Sequence, residues 1–394
     1  MSFSAIICAS QPASDSPGML RANLHFAGQS LLEYQVRQAA EAGAEQVMVL
    51  VGAVTQPLSR AIDRLTADGI SVSIVRDMVS LLREAPRDRD MMLVADGAVV
   101  PQRFYTAVAS QPGNVLLVTE DSATTAGFER IDAGQRWAGV ARVSPDVLFG
   151  TLDMIGDWDL ELTMVRAVVQ AGSHRIGIPS EEVMDARLAL ISSQAEADLV
   201  SRALLVGKRA PAGEAGAERV ILAPLAARIA PEFLRSQVPA GQVRAGAIAV
   251  SLIGIVATLL GWPMIALFLY LTALLLSLTV DRLVQLARRG GLEGWVGIMP
   301  HLTVLAVVAL LGNEAGRTMD GLYLAGLLAI LMLGLRSGRF HGARKWAILT
   351  PGSTLLLLLL TTGGGYFHFG LTLSIACAIL SLGLAILGPE TVES

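Results

Sequence analysis

Cysteine is nearly absent. Cys8 and Cys377 are the only two in 394 residues; they lie in different halves, and the second sits in an apolar run. Neither a disulfide framework nor a thiolate metal site can be built from them, and Cys8 reads as a small apolar residue on a buried strand. Positive charge is also short. Thirty Lys and Arg stand against 34 Asp and Glu, for a formal net charge of -4, and no basic stripe runs along the chain. That excludes nucleic acid as the expected partner. No basic segment precedes the short apolar stretch in MSFSAIICASQPASDSPG. A cleaved secretory signal is therefore not expected, and the first half should stay in the cytoplasm. Charge of either sign totals 16% against 53% apolar residues, and the mean hydropathy is +0.56. A wholly soluble or disordered chain does not have this balance. The deficit is local: residues 1 to about 240 read like a globular chain, and those from about 245 onward are mostly Leu, Ala, Ile, Val and Gly.

The second half holds six apolar runs, at 245–261, 263–280, 295–312, 320–335, 346–362 and 367–387. Each is close to the roughly 20 residues that cross a hydrocarbon core of about 30 Å. Gly261-Trp262-Pro263 is a tight uncharged turn, and Thr361 to Phe369 carries no charge. Arg282, Arg288 and Arg289 fill the second break, only Arg317 the third, and Arg336, Arg339, Arg344 and Lys345 the fourth. Bases thus concentrate in alternate loops, which predicts a multi-pass protein of the inner (cytoplasmic) membrane with both termini in the cytoplasm. Those bases set topology and could also hold anionic lipid. Small residues in GLYLAGLLAI and LSLGLAILG allow close helix packing. Ionisable groups inside the runs are few: His301 and His368 stand out, without metal-ligand spacing.

Residues 1 to about 200 alternate short β-branched runs (SAIICA, QVMVLVG, SVSIVR, MMLVADG, VLLVT) with helical patterns (SLLEYQVRQAAEAG, VTQPLSRAIDRLTADG). Strand and helix in alternation predict a parallel α/β sheet. Asp96 closes MMLVADG, at the carboxyl end of a strand, where open α/β sheets bind ligands. A competing reading has it capping the helix that starts after Pro101.

The stretch LRANLHFAGQSLLEYQVRQAAEAGAEQVMVLVG resembles the early part of sugar-phosphate and inositol-phosphate nucleotidyltransferases. Arg21 falls at the family's Lys position, and Gly28, Leu31 and Leu32 fit its Gly before a Leu-Leu helix. MMLVADGAVV looks like the family's strand ending in an Asp that helps hold Mg²⁺. ISSQAEADLVSRALLVGKRAPAG resembles the end of that domain in a fusion with a six-span CDP-alcohol phosphatidyltransferase, the di-inositol-phosphate-phosphate synthase type. Lys208, Pro211, Gly213, Arg219, Pro224 and VPAGQV fit its junction. The resemblance implies a nucleotidyltransferase-like (Rossmann-like) α/β domain over residues 1–205, a juxtamembrane linker and amphipathic segment over 206–243, and an all-α six-span transmembrane bundle over 244–394. It also implies a homodimer, or a heteromer with an active paralogue.

The catalytic motifs depart from the family. Ala287-Arg288 and Gly297 keep the skeleton of D-x2-D-G-x2-A-R-x8-G-x3-D-x3-D, but Val280, Leu283, His301 and Leu305 stand at its four Asp sites and Val284 at the Gly. Aliphatic side chains cannot hold a hard divalent cation. In the first half, ASQPASDSPGM replaces the Gly-rich phosphate loop, with Gly18 alone and prolines that remove donors. Ser192 and Gln194 stand at the two metal-facing positions of the later acidic element, of which Asp198-Leu199 persists. Asp96 has no evident carboxylate partner; DMIGDWDLEL supplies Asp153, Asp157, Asp159 and Glu161, of which one could substitute, but the segment reads first as a solvated acidic loop. The expectation is a catalytically degenerate relative, with no metal site and no cofactor, that serves as partner or regulator in polar-lipid head-group synthesis. His301 and Glu293 are vestigial catalytic residues, and Arg21, Asp96 and Arg288 are nucleotide-binding candidates. The alternative is an active Mg²⁺-dependent transferase that uses these residues.

Overall fold

The computed structural model describes residues 2–154, 159–207, 216–235, 238, 240–287, 323–324, 326–328, 330–331 and 349–387. Two compact units meet in sequence at Gly207 and Lys208.

The first unit is built on seven strands: β1 (Phe3–Cys8), β2 (Ala44–Leu50), β3 (Val72–Val75), β4 (Met91–Val94), β5 (Val115–Glu120), β6 (Gln135–Val143) and β7 (His174–Gly177), in the spatial order β7-β5-β6-β4-β1-β2-β3. Every residue of β1 and of β4 is buried, as expected of strands covered on both faces. Its helices are α1 (Leu31–Glu41), α2 (Gln56–Ala67), α3 (Met78–Glu84), α4 (Gln102–Ser110), α5 (Pro145–Leu152), α6 (Leu160–Gln170), α7 (Ser180–Met184) and α8 (Gln194–Gly207). Local chemistry sets the entry to α1. Ala27 (φ 52°) and Gly28 (φ 80°) turn the chain between the paired residues Phe26 and Gln29, the left-handed pair that a two-residue hairpin needs. Ser30 then caps the helix in a reciprocal box with Glu33. Burial alone would raise Glu33, but Arg64, at 2.8 and 2.9 Å, and Ser30 outweigh it and hold the carboxyl below its usual value.

The five strands read from the sequence are all present, but the sheet is mixed rather than parallel. β6 runs antiparallel between β4 and β5. Its sequence, QRWAGVARV, hides a buried strand behind Arg142. That side chain is 1% exposed, and its charge is met by Asp90 at 2.9 Å, by the Ala109 carbonyl and by the Phe3 ring. A paired guanidinium can occupy a core that an unpaired one cannot.

In the second unit α9 (Ala223–Arg235) follows a π-helical turn at Glu218–Leu222. Next come α10 (Ala240–Leu259) and α11 (Pro263–Ala287), joined by a turn with Gly261 at φ 74°, and then α12 (Pro351–Gly363) and α13 (Phe367–Leu387), joined through Gly365 at φ 80°. Glu218 accepts the Gly352 N–H at 2.8 Å, and Ser353 Oγ accepts the Ala217 N–H at 2.9 Å, so an acidic group sits at the start of α12. Tyr270 packs against Gly254, where a Cβ would meet its ring at 3.0 Å. Ile248, Leu252, Ile253 and Val256 of α10 and Phe268 of α11 are exposed. Among the described residues two helices, over Gly241–Leu259 and Pro263–Val284, are long and apolar enough to cross a membrane; Pro351–Gly363 and Phe367–Gly383 are shorter apolar helices. The expected run at 295–312 lies outside the described residues, and only 323–324, 326–328 and 330–331 of the run at 320–335 are described.

One glycine in the first unit is obligatory. Gly97 has φ 83°, and a Cβ there would stand 2.4 Å from the Ile191 carbonyl oxygen. Gly97→Ala should lower the stability of the unit by about 2 kcal/mol or more, read as faster exchange of the β1 and β4 amides in the detergent-solubilised chain.

Candidate functional site

The carboxyl ends of β1 and β4 lie side by side in the sheet. β4 ends at Val94, and the chain passes through Ala95 and Asp96 before turning at Gly97. The two residues after that turn, Ala98 and Val99, pair antiparallel with Ala189–Leu190, and Ile191 donates its N–H to the Gly97 carbonyl at 2.8 Å. This short ladder carries Ser192 and Gln194 to the same edge. Past β1, residues 9–20 double back on themselves: Ala13 N–H donates to Met19 at 2.7 Å, and Arg21 N–H to Gln11 at 2.9 Å.

Asp96 is buried at the focus of these segments. Its Oδ2 accepts the Gln11 backbone N–H at 2.7 Å, whereas Oδ1 is buried without a hydrogen-bond partner. Asp96 does not cap α4; that helix has Pro101 at its N-cap and no side-chain cap. Its own N–H donates to Glu161 Oε1 at 2.9 Å. Glu161 sits in the first turn of α6 behind the capping residue Asp159. The reading of Asp153 to Glu161 as a solvated acidic loop is therefore corrected at Glu161, which lies under Asp96 and hydrogen-bonds the buried Cys8 thiol. Asp157 lies outside the described residues. The sequence signal for Glu161 was slight, because an acidic residue in a first helical turn is ordinary.

Electrostatics follows from burial. Desolvation pushes Asp96 up to about 6, against the opposing effects of the Gln11 and Ser10 backbone and of the Arg21 charge. Desolvation pushes Glu161 up to about 7, against the N–H of Asp96 and with help from the Asp96 and Asp159 charges. Cys8 is raised well above the usual thiol range by burial and by Glu161 and Asp96, which leaves it unreactive. Arg21 belongs to the same edge, and its Nε donates to the Pro12 carbonyl at 3.3 Å.

Two of the sequence-derived residues, Arg21 and Asp96, are thus brought together. Arg288, Glu293 and His301 lie outside the described residues. Val280 and Leu283 are buried on α11, and Asp281 pairs with Arg244 at 3.8 Å. Ser192 and Gln194 do not face an open site. The Ser192 carbonyl accepts the Ser14 N–H at 2.8 Å, and the Gln194 amide clasps both backbone groups of His25, at 2.9 and 2.8 Å.

A divalent cation, which the resemblance implies, does not fit this donor set. Hard ions need several ionised oxygens. Here Asp96 and Glu161 are the two carboxylates at the strand end, and one oxygen of each already accepts a backbone N–H. Among the described residues no group of three or more His, Cys, Asp or Glu is placed to hold a metal.

The raised acid fixes a sign. Glu161 keeps its proton in the folded chain up to about 7 and releases it at lower pH when unfolded, so its burial costs nothing near pH 4 and destabilises increasingly as pH rises toward 7. Glu161→Gln retains an acceptor for the Asp96 N–H. It should match the parent near pH 4 and exceed it by roughly 1–3 kcal/mol near pH 8, measured from urea midpoints at the two pH values.

No family model matches the chain. Among curated proteins it is similar to the "Bifunctional protein FolD" of Lactococcus lactis subsp. cremoris strains MG1363 and SK11, 23% identical over 168 residues, covering 40% of this chain and 57% of those proteins. The FolD of L. lactis subsp. lactis strain IL1403 is 24% identical over 141 residues, 33% of this chain and 48% of that protein. The chain spans about half the length of the curated relatives it matches. Among solved structures, UDP-glucose pyrophosphorylase complexed with UDP-glucose has a TM-score of 0.40 at 10% identity, covering 53% of this chain and 100% of that one. The inositol-1-phosphate CTP transferase from T. maritima has a TM-score of 0.38 at 16% identity, covering 51% and 95%.

Proposed function

We propose that this chain is a membrane-embedded, nucleotidyltransferase-like protein that does not itself transfer nucleotidyl or phosphatidyl groups, and that acts as partner or regulator in polar-lipid head-group synthesis. One observation carries the reading: the carboxylate at the end of β4 is engaged by the chain's own backbone, through Gln11 N–H at 2.7 Å. In-line displacement at phosphorus depends on charge neutralisation around the phosphoryl oxygens. That neutralisation comes from cations gripped by several ionised carboxylates, and here Asp96 has one oxygen on the Gln11 N–H while burial raises the neighbouring Glu161 to about 7.

The second unit supports a location in the bilayer. Its two long apolar helices and two shorter ones, with the apolar runs of the sequence between them, support a six-span bundle of CDP-alcohol phosphatidyltransferase type in the inner membrane with cytoplasmic termini. Arg336, Arg339, Arg344 and Lys345 would face anionic lipid at the cytoplasmic surface. The chain pairs with a second copy or with a catalytically intact paralogue, and in the second case the paralogue supplies the chemistry that this chain lacks.

Purified full-length protein, supplied with Mg²⁺, CTP and a sugar phosphate or inositol phosphate, should release no pyrophosphate above a no-protein control. With a CDP-alcohol and a lipid-linked or free acceptor, it should release no CMP. Turnover that disappears in Asp96→Asn would establish instead the active-transferase reading, in which Asp96 and Arg21 serve the nucleotide.

A further inference from the structure

The residues at the family's metal-facing positions are not idle. Ser192 and Gln194 hold the segment 9–20 down over Asp96. The Ser192 carbonyl accepts the Ser14 N–H at 2.8 Å and the Ser14 hydroxyl at 3.2 Å, and the Gln194 N–H donates to Asp15 Oδ2 at 2.8 Å. The far side of the segment is fastened by Gln11 on Asp96 at 2.7 Å and by Arg21 on Pro12 at 3.3 Å. Between these ties, Pro12 and Leu20 form a bridge, so the segment behaves as a closed hairpin rather than an open loop.

The same contact also serves α8. Gln194 is its first residue, and the Asp15 carboxylate, 179 positions away in sequence, satisfies that N–H. A negative group there also complements the helix dipole. α8 is the helix through which the chain leaves the first unit.

We infer that residues 9–20 form a strap that closes this edge to ligand, latched by Ser192 and Gln194, whose release frees Asp96 Oδ2 and the Arg21 guanidinium and removes the Asp15 carboxylate from the start of α8 in the same step. The inference rests on reading the Asp96 edge as a nucleotide-type edge, and it adds how that edge is regulated. A phosphate-bearing ligand would compete with the strap for this edge. Because one carboxylate closes the strap and caps α8, ligand entry loosens the start of the helix. By reciprocity, a partner that grips α8 in its capped form keeps the edge closed.

The experiment is amide hydrogen exchange on the full chain in detergent micelles. Asp15→Ala should raise exchange at Ser14, Gln194 and Gln11 by about tenfold, the scale of one lost hydrogen bond and its neighbours, and leave the β5 amides unchanged. Asp15→Asn, which keeps an oxygen acceptor, should restore most of the protection. Unchanged exchange in Asp15→Ala would overturn the latch, and so would an equal rise in β5. A parallel assay for pyrophosphate release from CTP and Mg²⁺ with a sugar phosphate or inositol phosphate as acceptor separates the two ideas. Release by Asp15→Ala alone would support the latch and remove the non-catalytic reading. Unchanged exchange without release would remove the latch and leave that reading standing.

Discussion

A carboxylate at the end of a buried strand must be ionised and paired, or protonated, or wrapped in donors. Asp96 is in this position because β4 is covered on both faces and ends inside the protein. Its surroundings answer that constraint in two ways: the Gln11 N–H takes one oxygen, and burial raises the acid to about 6. Glu161 meets the same demand from below, by accepting the Asp96 N–H. The hairpin at 9–20, the ladder that delivers Ser192, and the cap of α8 all converge on this edge. Each gives the buried charge, or the backbone beside it, a partner.

The second unit meets a different constraint with the same physics. Its helices α10 to α13 carry little charge, and hydroxyl side chains turn back onto their own backbone. Thr258 donates to Gly254, Thr279 to Leu275 and Ser374 to Gly370, each within 2.9 Å. This is the arrangement an apolar surrounding favours, since a polar group satisfied within one helix needs no water. Glu218 stands at the start of α12, and Arg244 in the first turns of α10 pairs with Asp281 in the last turns of α11.

The alternation of β-branched runs and amphipathic stretches located five strands and the first helices, because burial on both faces leaves a continuous apolar run in the sequence. The turn at Gly261 was legible for a related reason: glycine accepts the left-handed backbone there. β6 was not legible, because its two arginines look like surface residues until Asp90 and Asp121 are seen beside them. Glu161 could be read only as one of four acids able to partner Asp96, because nothing local distinguishes a helix-start carboxylate that faces water from one that faces a strand end 65 residues away.

Composition and pattern alone determined that one half of this chain is an α/β unit and the other an apolar helical one, because hydrophobic periodicity and charge density are local properties. They also determined that the acidic motifs of the resembled enzymes are missing, since residue identity needs no coordinates. Only the tertiary structure decided what Ser192, Gln194 and Glu161 do in their place. Their partners, Ser14, His25, Asp15 and Asp96, are distant in sequence, and a hydrogen bond between remote segments exists only once the sheet has brought its strand ends together.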